Sequence, residues 1–177
     1  MKRKWKLFLT VSLLSMLFLY GCGNTPISDP QSTDAKFITS LSQGLETRWQ
    51  IQKDYEKQWK EADISIDCGS DEHMECYTAC IDAEIDAISA FADETFQNKD
   101  LKDHALAYME CLKAQKEALS YAPTDEDKHM NLWTAAFNER STLIKYFVDE
   151  YDLSVNWKYR KNLNNILKNA RAVEKDS

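Results

Sequence analysis

The chain has 177 residues, with 29 acidic against 22 basic side chains and a formal net charge of −7. That length supports one domain with a sizeable core, and so acidic a surface repels phosphate polymers, which excludes DNA or RNA as a partner. Only four glycines and three prolines occur, no long β-branched alternation is present, and the composition points to helices.

The amino terminus carries Lys2, Arg3, Lys4 and Lys6 and no acidic residue before an apolar run over 7–20, interrupted only by small hydroxyls such as Thr10, Ser12 and Ser15. A cationic start, an apolar middle of this length and a small residue at the end make a secretory signal peptide. The run is shorter than the ~20 residues needed to span hydrocarbon, so an uncleaved membrane helix ranks second. The segment ends Leu19-Tyr20-Gly21-Cys22. This ending resembles the lipobox of bacterial lipoproteins, with Tyr20 bulkier than is usual there. The resemblance implies that residues 1–21 are removed and that Cys22 is lipidated with a diacylglyceryl group. Losing four positive charges takes the mature chain from −7 to −11. Such a surface also repels anionic lipid head groups, so the acyl chains must hold the membrane, at about 0.8 kcal/mol per buried methylene.

Residues 22–34 hold two prolines and many short polar residues and read as a flexible tether. The bundle domain is expected over 35–177. Its first helix is predicted over 35–62, capped by Ser32, Thr33 or Asp34, with Ile38, Leu41, Leu45, Tyr55 and Trp59 on one stripe, Phe37 and Trp49 flanking it, and Gln52 interrupting it. Gly44 costs up to ~1 kcal/mol inside a helix, so its use is close approach of a neighbouring backbone. After a loop over 63–70, a second helix is predicted from Ser70 or Asp71 to about Gln97, with Met74, Tyr77, Ile81, Ile85, Ile88, Ala92 and Phe96 inward. Its many acidic residues are read as a solvated face. Asp82 and Asp86 lack the glycine-bearing loop that calcium needs.

A third helix is predicted over 101–121, with Leu101, Ala105, Tyr108, Leu112 and Leu119 inward. The fourth is capped by Thr124, with Asp125, Glu126 and Asp127 in its first turn and a stripe of Met130, Trp133, Phe137, Ile144, Phe147, Val148 and Tyr151. Arg140 lies among these apolar residues, read as an inward stem with its guanidinium paired or snorkelling, with a ligand-binding charge as the other reading. The last helix, 157–172, presents Leu163, Ile166, Leu167 and Ala170, and its basic residues Lys158, Arg160, Lys161 and Lys168 are expected to lie against the acidic second helix, or else to face the membrane or a wall polymer.

Cys68, Cys76, Cys80 and Cys111 remain beside the anchor. An even number of thiols in an exported chain suggests disulfides. A helical hairpin turning at Lys99 sets Cys111 ~12 Å from the level of Cys80, too far for a bridge. The expectation is therefore Cys68 bonded to Cys76 or Cys80, which lie on a flank of the second helix that the Cys68 loop can reach, with Cys111 a small buried hydrophobe. A zinc site of Cys68, His73, Cys76 and Cys80 fails because His73 and Cys80 stand two turns apart, ~10 Å. His73, His104 and His129 read as surface or capping residues, and neither a nucleophile elbow nor a metalloprotease or phosphate-loop motif is present.

The fold expected is all-α: an up-and-down bundle of four long helices plus a shorter C-terminal helix. Gly44-Leu45-Glu46 with Trp49, and Arg140 with Phe147-Val148-Asp149, resemble a class of small helical lipoproteins of Gram-positive bacteria with no assigned activity. The function expected is non-enzymatic: a lipoprotein on the extracytoplasmic face of the membrane, binding a protein or wall-polymer partner and needing no cofactor or metal. The alternative is a small-molecule carrier with an apolar pocket inside the bundle.

Overall fold

In the computed structural model, which describes Ile27 and residues 29–176, helix formation begins where a cap is available. Cys22 and the expected signal segment lie outside these described residues. Ser32 Oγ accepts the N–H of Ala35 at 3.1 Å and opens α1, Thr33–Glu61. Its inward face is Phe37, Leu41, Leu45 and Trp49, all buried, whereas Ile38, Tyr55 and Trp59 are only half-buried. The two aromatics expected to flank the stripe are its centre. Gly44 serves close packing as expected: a Cβ there would meet Ala87 Cβ at 2.9 Å and Glu84 Cα at 3.3 Å.

Helix α2, Asp71–Ile88, is capped by Ser70 but ends nine residues before the predicted Gln97, passing into a 3-10 turn at Ser89–Phe91. No proline or glycine stops it. Tertiary contacts do, overriding local propensity. Phe91 and Phe96 both pack edge-on against Phe37, with ring centroids 5.7 and 5.6 Å away, and the buried Asp34 carboxylate accepts the N–H groups of Gln97 and Asn98 at 2.8 and 3.0 Å. A straight helix could not deliver those two N–H groups to α1.

Asn98 caps α3, Lys99–Ser120, by accepting the N–H groups of Asp100 and Leu101. All five residues expected inward on α3 are buried. Helix α4, Glu126–Tyr151, is capped by Asp125, which accepts the N–H of Lys128 at 3.0 Å, one residue after the expected Thr124. Met130 is exposed and Trp133 and Phe137 are half-buried, while Ala136, Arg140, Ile144 and Phe147 carry the buried stripe. A 3-10 turn, Trp157–Tyr159, leads into α5, Arg160–Asp176.

Consecutive helices are spatial neighbours, so the chain is an all-α, up-and-down bundle with α5 lying along α4. Among the described residues no helix is long and apolar enough to cross a membrane. Leu163, Ile166, Leu167 and Ala170 are buried. The basic side chains Lys158, Arg160, Lys161 and Lys168 do not pair with the acidic residues of α2, because α5 packs chiefly on α4; all four are exposed. The α4–α5 connection is tied instead to α1. Ser42 Oγ donates to the Ser154 carbonyl at 2.6 Å, Glu46 accepts the Asn156 N–H at 2.6 Å, and Tyr159 donates to Gln50 at 2.7 Å while packing on Trp49. Gly44, Leu45, Glu46 and Trp49, singled out in the sequence, are therefore packing and tethering residues.

Candidate functional site

Helical spacing places polar residues within the buried stripes. On α1, Arg48 stands one turn beyond Leu45; on α2, Glu84 falls between Ile81 and Ile88; on α4, Arg140 falls between Ala136 and Ile144. The close α1–α2 approach at Gly44 draws Arg48 and Glu84 together. Glu84 is fully buried and was hidden among eleven acidic residues read as a solvated face. Its carboxylate accepts from Arg48 Nη1 at 2.7 Å, from Arg140 Nη2 at 2.6 Å and Nε at 3.2 Å, and from the Tyr108 hydroxyl. Burial pushes its pKa up, but Arg140, Arg48 and the Tyr108 hydrogen bond outweigh burial and hold it below the usual carboxylate value. Burial, with Glu84 nearby, drives the Tyr108 pKa up, so the phenol stays neutral.

Two guanidinium groups thus face one carboxylate, and the cluster keeps one surplus positive charge inside an acidic protein. Arg140 spends its side-on fork, Nε and Nη2, on Glu84. Arg48 works through Nη1 alone, giving a second, longer bond of 3.4 Å to Gln115 Oε1. Its own fork, Nε and Nη2, makes no hydrogen bond among the described residues. Gln115 Nε2 is the one side-chain nitrogen or oxygen there that is both buried and unpartnered, so the Arg48 fork still reaches solvent.

It does so in a cleft of about 260 Å³ between α1, α2, α4 and α5. Arg48 and Arg140 are buried at its floor; Trp49, Tyr77, Trp133 and Phe137 supply aromatic surface, and Gln52, Asn162 and Asn165 supply amides. No acidic side chain lines it. A second cleft of about 310 Å³ shares Trp49, Gln52 and Asn162 and adds Lys53, Glu56, Lys158 and Tyr159. Trp157, at the start of the turn that carries Lys158 and Tyr159, is 80% exposed.

The expected bridge from Cys68 to Cys76 or Cys80 is not formed; all four described cysteines are free thiols. The loop holding Cys68 turns the other way. Gly69, at φ +81°, is wedged against Ala122 and Pro123, where a Cβ would lie 2.5 Å from the Ala122 carbonyl oxygen. Cys68 is exposed, its pKa raised by burial and then by nearby Glu126. Cys76 and Cys80 are buried towards α1, where the Cys80 thiol donates to the Arg48 carbonyl at 3.5 Å. They belong to the inward face of α2, not to a flank. Cys111 is the expected buried hydrophobe, its thiol donating to the Ala136 carbonyl at 2.8 Å and pushed up to about 12 by burial. His129 is buried too, its Nδ1 2.9 Å from the Ala118 carbonyl, because the α3–α4 link folds back over the first turn of α4.

No protein-family model, curated protein sequence or solved structure matches the chain.

Proposed function

We propose that the protein is a non-enzymatic lipoprotein, anchored through lipidated Cys22 on the extracytoplasmic face of the membrane, that binds a protein or wall-polymer partner. The observation that carries this reading is the exposed Trp157 beside Lys158, Arg160 and Lys161. A large aromatic left in water next to basic side chains is the usual make-up of an interface anchor. Partner and anchor are tested separately. Crosslinking on intact cells should yield an adduct that Trp157→Ala weakens; an unchanged adduct removes Trp157 from the interface. Metabolic labelling with palmitate should mark the chain and should fail in Cys22→Ser; an unmarked wild type refutes the anchor.

Small-molecule carriage is the second reading, favoured by the cleft between α1, α2, α4 and α5 rather than by an apolar cavity within the core. The core itself is filled by Phe37, Leu41, Leu45, Tyr108, Leu112 and Phe147, all fully buried.

A further inference from the structure

The geometry points to the cleft over Arg48 and Arg140 as a receptor for a small organic carboxylate with a flat apolar body; this rests on the second reading above. Three independent features converge on that class. The first is charge. Glu84 answers one of the two buried guanidinium groups, and no acidic residue lining the cleft answers the other. Both arginines share the single Glu84 charge, so the surplus positive charge, mostly withdrawn from water, is stabilised when an ion of opposite sign meets it. The second is shape. The uncommitted Nε and Nη2 of Arg48 are the two parallel donors that bind a carboxylate in bidentate fashion. Arg140 shows the same fork in use 3.2 and 2.6 Å from Glu84. The third is the wall. Trp49, Tyr77, Trp133 and Phe137 offer ring faces, while Gln52, Asn162 and Asn165 can orient a polar substituent. About 260 Å³ holds a single-ring acid, not a polymer.

Tyr77 and Trp133 pack edge-on at 5.5 Å, so one side of the aromatic wall is braced before any ligand enters. Asn169 of α5 donates to Asn138 and Ser141 of α4 at 3.0 and 3.2 Å, which holds the helix bearing Asn162 and Asn165 in place. Such a site binds without a large rearrangement, which limits the ordering cost of association.

The test uses the full chain in detergent, with 3-phenylpropanoate, its uncharged amide 3-phenylpropanamide, and acetate as probes, read by calorimetry and by the tryptophan fluorescence of the cleft. The acid should bind at least tenfold more tightly than either the amide or acetate. Arg48→Met should lose that preference, and Arg48→Lys, which keeps charge without the fork, should recover only part of it. Should either Arg48 variant fail to fold, Trp133→Ala, on a half-exposed residue, should weaken the acid severalfold with its charge selectivity intact. Equal affinity for acid and amide overturns the carboxylate assignment and leaves a cleft that takes small molecules. Absence of binding by every probe up to about 10 mM, an interaction weaker than ~3 kcal/mol, overturns the assignment together with the small-molecule reading.

Discussion

Glu84→Gln separates a carboxylate that neutralises the core from one that merely fills it. Glu84 is fully buried and accepts from Arg48 Nη1, from both arms of the Arg140 fork and from Tyr108. The amide keeps nearly the same volume, so packing is unchanged. It removes the one negative charge, leaves two buried guanidinium groups facing each other, and turns an –NH2 donor towards donors. Breaking a buried pair from one side costs about 3–5 kcal/mol. In a chain of this size each kcal/mol moves Tm by roughly 2–4 °C, so the variant should melt about 6–20 °C lower. Arg48→Met is the control. It deletes the surplus charge and leaves the bidentate Arg140–Glu84 pair, so its cost should be about 1–3 kcal/mol for one charge-assisted bond. Urea unfolding of the two variants at neutral pH checks this. The reasoning fails if Glu84→Gln lies within about 1 kcal/mol of wild type, or if Arg48→Met costs more than Glu84→Gln. The pH dependence has a fixed sign. Glu84 is held below its ordinary 4.5, so its contribution is complete above that value and is lost as pH falls through the lower folded-state value. The gap between wild type and Glu84→Gln should therefore close in acid.

Gly44→Ala should destabilise despite the ~1 kcal/mol that alanine gains in a helix, because its methyl meets Ala87 Cβ at 2.9 Å and Glu84 Cα at 3.3 Å; a rise in Tm would show that α1 and α2 can separate cheaply. His73 accepts the Gly69 N–H on Nδ1 at 3.4 Å, and burial, then His129, lowers its pKa below 6.5. Stability should thus fall as pH drops below 6.5 towards the lower folded-state value, and His73→Gln should flatten that slope; an unaltered slope contradicts the assignment. Native alkylation followed by peptide mapping should label Cys68 well before Cys76, Cys80 and Cys111, which are buried; equal rates at all four would mean that α2 and α3 both open readily.

Helical periodicity and caps were enough to place five helices in an antiparallel bundle, since apolar spacing and the caps Ser32 and Ser70 act within a turn or two of their own position. Leu101, Ala105, Tyr108, Leu112 and Leu119, or Leu163, Ile166, Leu167 and Ala170, carry their inward direction in their spacing alone. Three-dimensional packing decided the rest. The end of α2 depends on Phe37 and Asp34 from another helix, and the path of the Cys68 loop on where Ala122 lies. Glu84 looks like any other carboxylate until α1 and α4 bring Arg48 and Arg140 to it, because burial of a charge is decided by the groups opposite it and not by its neighbours along the chain.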